Sequence, residues 1–171
     1  GAMTRFVISV VLVLLTASNG IGAPATLRAY DPPKAAPAFS FEDITGVVHT
    51  NADYRGQILL VHFWATWCIP CRQEMPSLVE LSRRLQTNGV ATIAVAVKED
   101  HAAVRSFVAK NGIPFRVTVD PTDRSMTPWA AIGVPSTIVL DKKGMIRFRV
   151  TGQADWNGPG MTAMIGKLTT E

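Results

Sequence analysis

The chain has 171 residues, 47% of them hydrophobic, which is typical of one globular domain with a short appendage rather than of two full domains. Its net charge is +4, and the basic side chains are scattered along the sequence. Because nucleic-acid binding needs a basic stripe with interleaved aromatic residues, the sequence argues against a nucleic-acid partner.

The first 23 residues differ in composition from the rest. Arg5 precedes a mostly apolar run, Phe6 to Ala17, and small residues follow as far as Ala23. This order is typical of a secretory signal peptide or a short N-terminal membrane anchor, and residues 1–23 are predicted to be one or the other. We therefore expect the rest of the chain in a bacterial periplasm, either soluble after cleavage or anchored to the inner membrane.

Residues 24–38 are rich in proline and alanine and show no apolar periodicity. Such a composition is typical of an extended spacer outside a folded domain. The sequence therefore predicts a spacer over residues 24–38 and one folded domain over residues 39–171. Alternation around Gly46 indicates a small hairpin at the start of that domain.

Strand and helix patterns alternate through the predicted domain. Nearly continuous apolar runs over 57–63 and 90–97 predict strands covered on both faces, with a helix between them. Asp100 can cap a second helix, which precedes a third strand at 115–120. Two strands within 136–150 and a terminal helix complete an α/β pattern, which predicts a central mixed sheet flanked by helices.

Cys68 and Cys71 are the two cysteines of the chain, and they lie where the first buried strand gives way to a helix. A thiol at the first turn of a helix faces unpaired backbone N–H groups and the positive end of the helix dipole, which lower its pKa. Cys68 is therefore predicted to be a nucleophilic thiolate. Cys71 lies one turn deeper and is predicted to be the resolving thiol.

Other uses of a CxxC pair have weaker support. A structural zinc site needs four ligands, and the sequence has no second cysteine pair. A covalent haem site would need histidine at the position of Arg72. A structural disulfide across so short a loop adds little stability, although this alternative stays open. We expect no metal and no cofactor other than the cysteine pair.

The stretches FWATWCIPC, residues 63–71, and GVPST, residues 133–137, resemble the thioredoxin superfamily, and within it the exported TlpA/ResA-like thiol-disulfide oxidoreductases. The resemblance runs from about residue 39 to 168 and includes a helix-strand insert between 99 and 120. It implies a thioredoxin-like fold with an N-terminal hairpin and this insert. Members of the family keep the haem-site cysteines of cytochrome c precursors, or the cysteines of copper-site proteins, reduced.

The resemblance also implies a substrate groove beside the cysteine pair. Trp64 and Trp67 would form an apolar collar, with ordinary core packing as the alternative for Trp64. Pro135 matches the family's cis-proline, and the backbone of Val134 would pair with a client strand.

Two titratable residues are candidates for proton handling or for tuning the thiol pKa values. Glu74, three residues after Cys71, matches a glutamate of ResA-like proteins; a solvated glutamate in the first helical turn is the alternative. His62 lies six residues before Cys68, where thioredoxins have a buried aspartate and TlpA/ResA-like proteins often have asparagine. It is interpreted as a proton relay, as a protonated group that lowers a thiol pKa, or as a neutral core residue.

The sequence thus predicts a periplasmic thiol-disulfide oxidoreductase that reduces cysteine-containing exported client proteins. A membrane electron donor of the thiol-reducing type would regenerate it. The Ile-Pro dipeptide between the cysteines resembles the reducing members of the family, while a disulfide oxidase or isomerase and a redox-inactive client-binding module remain alternatives. A peroxidase of the same fold would need threonine at position 65, where the chain has Ala65.

Overall fold

A computed structural model gives the structure of residues 24–171. The predicted signal peptide or membrane anchor, residues 1–23, lies outside the described residues. Within residues 24–171, no helix combines the length and the apolar composition needed to cross a membrane.

The described part of the chain contains eight β-strands and three α-helices. The strands are β1 (Thr26–Ala35), β2 (Ser40–Glu42), β3 (Val48–Thr50), β4 (Ile58–Trp64), β5 (Val90–Val97), β6 (Arg116–Asp120), β7 (Ser136–Leu140) and β8 (Met145–Thr151). The α-helices are α1 (Ile69–Leu85), α2 (His101–Asn111) and α3 (Pro159–Thr169). Short 3-10 helices cover Asn51–Tyr54, Gln86–Asn88 and Arg124–Trp129.

Six strands form one mixed sheet in the order β1-β8-β7-β4-β5-β6. β4 lies inside this sheet, parallel to β5 and antiparallel to β7, and all of its residues are buried. β2 and β3 form the predicted hairpin, which Asp43 joins to β6 through a bridge to Thr118. The α/β fold class, the mixed sheet, the hairpin and the α2-β6 insert are therefore confirmed.

The prediction of a spacer over residues 24–38 is wrong, because Thr26–Ala35 form β1 and pair antiparallel with β8. β1 is an edge strand whose side chains are mostly exposed, so it lacks the apolar alternation that marks a half-buried strand. Its two prolines lie between Ala29 and Lys34, where the pairing register shifts. Edge strands tolerate prolines at such irregularities because fewer backbone N–H groups are needed for pairing there.

Side-chain hydrogen bonds cap the first turns of α1 and α2, and the cap of α1 is one of the two cysteines. Cys68 is the N-cap of α1, and its sulfur accepts a hydrogen bond from the backbone N–H of Cys71 at 3.3 Å. α2 begins at the predicted cap, where Asp100 accepts a bond from the backbone N–H of Ala103 at 2.8 Å. The cysteines therefore lie at the junction of a buried strand and a helix, as predicted.

The two faces of β4 contact different parts of the fold, because alternate side chains of a strand point to opposite sides of the sheet. One face packs against Trp129 and Phe39, and the other packs against α1 and α3. Leu60, His62 and Trp64 share the second face. Leu60 packs with both helices, and Trp64 packs with the two cysteines, so His62 lies in the interior between those clusters.

Candidate active site

Cys68 and Cys71 form a disulfide at the N-terminus of α1, with their Cα atoms 5.3 Å apart. Cys68 is 6% exposed, whereas Cys71 is fully buried. As the N-cap of α1, Cys68 faces the N–H groups and the positive dipole end of the helix, which stabilise a thiolate once the disulfide is reduced. The site therefore has an outer sulfur with thiolate-stabilising surroundings and an inner sulfur closed off from solvent.

The loop before β7 contacts the outer sulfur. The Val134–Pro135 peptide bond is cis, as the resemblance implies, and Pro135 is buried. The Cys68 sulfur lies 3.8 Å from the carbonyl oxygen of Val134. The structure thus brings the predicted groove residues Val134 and Pro135 together with the cysteine pair.

The two tryptophans of the predicted collar have different surroundings. Trp64 is fully buried, packs in one cluster with both cysteines and lies 5.1 Å from Phe107 between ring centroids. Trp67 is 56% exposed beside Cys68. Trp64 is therefore a core residue packed against the cysteine pair, and Trp67 is the one of the two that is open to solvent.

Large apolar side chains remain exposed on the segments that carry the cysteine pair and the cis-proline. Besides Trp67, these are Ile69, 58% exposed, and Ile132, 86% exposed. Exposed apolar side chains gathered beside a reactive group are typical of a protein-binding surface.

Glu74 is a buried residue of α1, so the alternative of a solvated first-turn glutamate is wrong. One carboxylate oxygen, Oε1, accepts hydrogen bonds from the Trp156 indole N–H at 2.6 Å and from the Ala154 backbone N–H at 3.4 Å. Burial raises the pKa of Glu74 from 4.5 to about 7, although these two hydrogen bonds oppose the rise. Such a carboxyl group exchanges protons readily near neutral pH.

His62 is fully buried, and burial lowers its pKa to about 3. The imidazole is therefore neutral near pH 7, which contradicts the alternative of a protonated His62 that lowers a thiol pKa. Its Nδ1 lies 2.8 Å from the hydroxyl oxygen of Thr137 on β7. Within residues 24–171, its Nε2 has no hydrogen-bond partner, and the same holds for Oε2 of Glu74.

Two contributors to this site were missed at the level of the sequence. Trp156 follows Glu74 by 82 positions in the chain and lies in the loop before α3, so no local pattern pointed to it. Thr137 belongs to the recognised GVPST stretch, but its contact with His62 depends on the pairing of β4 with β7.

No group of three or more histidine, cysteine, aspartate or glutamate side chains within residues 24–171 is arranged to hold a metal ion. The Cys68–Cys71 pair is a disulfide that can take part in redox chemistry.

Comparison with known sequences identifies the family. The model of the AhpC/TSA family matches residues 32–149. The thiol-disulfide oxidoreductase ResA of Geobacillus thermodenitrificans is 34% identical over 148 residues, which cover 84% of this chain and 85% of that protein. The thiol:disulfide interchange protein HelX of Rhodobacter capsulatus is 38% identical over 122 residues, which cover 70% of this chain and 67% of HelX.

Solved structures share the fold. A secreted thiol-disulfide isomerase from Corynebacterium glutamicum superposes with a TM-score of 0.77 at 20% identity, covering 88% of this chain and 95% of that one. A thiol:disulfide interchange protein of the thioredoxin family from Chlorobium tepidum gives a TM-score of 0.69 at 25% identity, covering 80% and 97%. The chain therefore has a thioredoxin-like fold, belongs to the AhpC/TSA family of the thioredoxin superfamily, and is a thiol-disulfide oxidoreductase.

Proposed function

We propose that the protein is a periplasmic reductase of disulfides in exported client proteins, and that Cys68 and Cys71 are its redox pair. The observation that carries this proposal is the asymmetry of the pair. Cys68 caps α1 beside the Val134 carbonyl, while Cys71 is buried behind it. An outer thiolate can reach a client disulfide, and an inner thiol is protected until the mixed disulfide has formed.

The proposed cycle transfers two electrons from the enzyme to the client. The Cys68 thiolate attacks one client sulfur, the client S–S bond breaks, and the departing client thiolate takes up a proton. Cys71 then loses its proton and attacks the Cys68 sulfur of the mixed disulfide, which releases the second client thiolate. The enzyme is left with the Cys68–Cys71 disulfide, and a membrane electron donor of the thiol-reducing type reduces it again.

The client is proposed to bind across Trp67, Val134 and Pro135. Trp67 supplies exposed apolar surface, and the Val134 backbone lies against the sulfur that attacks. An extended client segment would place its disulfide over Cys68 by pairing with this backbone, a common mode of peptide recognition. Clients of the cytochrome c maturation or copper-site type are proposed because the family resemblance implies them.

Glu74 is proposed to accept the proton that Cys71 must lose. The two residues are three apart on α1, a spacing that places side chains on the same helix face, and the raised pKa matches the group to neutral pH. His62 is proposed to relay that proton, since it shares the buried face of β4 turned towards α1 and has a nitrogen without a partner among the described residues. A neutral imidazole can both donate and accept a proton.

Insulin reduction with dithiothreitol tests the proposal. We expect the wild type to accelerate insulin precipitation, Cys68→Ser to abolish the acceleration, and Cys71→Ser to accumulate a mixed disulfide with a client peptide that contains an oxidised haem-binding motif. The redox potential measured against glutathione tests the direction. A potential near that of a strong periplasmic oxidase, about −120 mV, would contradict a reductase.

The location is tested separately. Fusion of the first 38 residues to a reporter that is active only outside the cytosol should give an active reporter. Fractionation of the full chain then distinguishes a soluble periplasmic form from an anchored one. A reporter that stays inactive would contradict export.

A further inference from the structure

A four-residue turn, Ala65 to Cys68, connects β4 to α1 and ends on the outer cysteine. The backbone N–H of Cys68 donates to the Ala65 carbonyl at 3.2 Å, which closes the turn. Thr66 and Trp67 are its two central residues. The groups that hold these two residues therefore set the direction in which the chain reaches Cys68.

Two consecutive residues after β5, Lys98 and Glu99, hold both central residues of the turn. One carboxylate oxygen of Glu99 accepts hydrogen bonds from the backbone N–H and from the hydroxyl group of Thr66. The Lys98 carbonyl accepts a 3.3 Å bond from the indole N–H of Trp67. We call Lys98 and Glu99 the clamp.

The clamp is anchored to the rest of the fold on both sides. The backbone N–H of Lys98 donates to the Thr122 carbonyl at 2.7 Å, and Asp100, the next residue after the clamp, caps α2. β4 and β5 are adjacent and parallel, so their carboxyl ends lie side by side and the clamp meets the turn directly. The hydrogen bonds between the clamp and Thr66 therefore connect the active-site turn to the sheet and to α2.

Lys98 has an unusual backbone conformation at this point. Its φ angle is 52°, in the left-handed region that residues other than glycine rarely occupy. Such conformations persist where the surrounding structure determines them, and they concentrate at functional sites. The bend at Lys98 ends β5 and directs two successive hydrogen-bond acceptors at the active-site turn.

We propose that Glu99 is a positioning residue for thiol-disulfide exchange. It acts through Thr66, fixes the turn that presents Cys68 to the client, and together with Lys98 sets the orientation of Trp67. The inference rests on the proposed function in one respect, the assignment of Cys68 as the attacking thiol. It adds that the helix-strand insert, which begins at the clamp, controls the geometry in which Cys68 attacks.

The test compares Glu99→Ala, which removes the acceptor, with Glu99→Gln, which removes the charge but keeps an oxygen that accepts both Thr66 bonds. Glu42→Ala, at an exposed glutamate of β2, is the matched control.

Two readouts are needed: kcat/KM for insulin reduction, and the rate at which iodoacetamide alkylates Cys68 in the reduced protein. We expect Glu99→Ala to lower kcat/KM about tenfold, because small errors in attack geometry are costly. Glu99→Gln should stay within about threefold of the wild type, as a neutral acceptor replaces a charged one.

Thr66→Val provides a second, independent variant that leaves Glu99 in place. It removes the hydroxyl bond but keeps the backbone bond, so its loss of activity should be smaller than that of Glu99→Ala. In the Glu99→Ala background, Thr66→Val should cause no further loss, since both changes remove the same interaction. Fully additive losses in the double variant would contradict a clamp that acts through Thr66.

The outcomes separate the clamp from the proposed function. If Glu99→Ala behaves like Glu42→Ala in both readouts, the clamp is disproved while the wild-type activity stands. If Glu99→Gln loses as much as Glu99→Ala, the charge of Glu99 matters rather than its grip, and the positioning role is disproved. If the wild type fails to reduce insulin but Glu99→Ala still changes the alkylation rate of Cys68, the reductase proposal fails and the clamp stands.

Discussion

The indole N–H of Trp156 donates a 2.6 Å hydrogen bond to Oε1 of Glu74, a buried residue on the helix that Cys68 caps. This bond holds a carboxyl group in an apolar interior, where burial raises its pKa to about 7. The surroundings of Glu74 thus depend on a residue from the loop before α3, far from the cysteines in the sequence.

Glu74→Gln should lower the pKa values of the two cysteine thiols. Above pH 7 the wild-type carboxylate places a negative charge near the thiols, whereas glutamine occupies the same volume without that charge. The ultraviolet absorbance of the thiolates, followed through a pH titration of the reduced protein, measures this change. Glu80→Gln, at an exposed glutamate of the same helix, is the control and should leave the titration unchanged. Unaltered cysteine pKa values in Glu74→Gln would remove Glu74 from the mechanism.

The same variant should change how stability depends on pH. The pKa of Glu74 is raised on folding from 4.5 to about 7, so its contribution to stability is complete below pH 4.5 and is lost as the pH rises through 7. The rise in pKa from 4.5 to about 7 corresponds to roughly 3 kcal/mol of unfolding free energy. Urea unfolding at low and high pH should therefore show Glu74→Gln gaining stability relative to the wild type as the pH rises.

Trp156→Phe should raise the pKa of Glu74 further, since it deletes the hydrogen bond that favours the carboxylate and keeps the aromatic ring. The loss of one hydrogen bond to a charged group should cost about 2 kcal/mol of unfolding free energy at a pH above 7. Carbon NMR of the labelled carboxyl group measures the pKa directly. Trp129→Phe changes a buried tryptophan on the opposite face of the sheet and should leave that pKa unaltered.

His62→Asn should slow insulin reduction by about a hundredfold, the lower end of the usual range for general acid-base catalysis, and change its pH profile if the imidazole relays a proton. Thr137→Val is the companion variant, because it removes the hydroxyl that lies 2.8 Å from Nδ1 while His62 stays in place. An unchanged rate and pH profile in His62→Asn would leave His62 with a structural role only.

Asp43→Asn should destabilise the junction between the hairpin and β6. Burial alone would raise the pKa of Asp43, but hydrogen bonds from Thr45, His49 and Val47 outweigh it and hold that pKa well below the ordinary 3.8. The stabilisation is therefore present above pH 3.8 and is lost as the pH falls below it. Denaturant unfolding should show a cost of about 2 kcal/mol at pH 7 that shrinks in acid. Asp31→Asn, at an exposed residue of β1, should have little effect at either pH.

Much of the fold could be predicted because its signals are local. The buried strand β4, the start of α1, the cap of α2 and the hairpin each follow from residues close together in the chain. β1 could not be predicted in this way. An exposed edge strand with two prolines has the composition of a linker, and only its pairing with β8 makes it part of the sheet.

The candidate site likewise has features that local sequence predicts and features that only the packed fold determines. Local sequence places Cys68 at a helix start and Cys71 one turn below it, because strand and helix periodicities change between Trp64 and Ile69. The exposure of Trp67 against the burial of Trp64 follows only from the packed fold, since the two residues have the same chemistry and are three positions apart.

The sequence by itself determined the α/β class, the position of the cysteine pair and, through its resemblance to a family, the kind of chemistry. Only the tertiary structure decided which polar groups are buried and what they contact. Glu74 meets Trp156, His62 meets Thr137 and Glu99 meets Thr66 across separations of 33 to 82 residues. The reason is physical: pKa values and hydrogen bonds depend on burial and on neighbours in space, and strand pairing and helix packing create those neighbours.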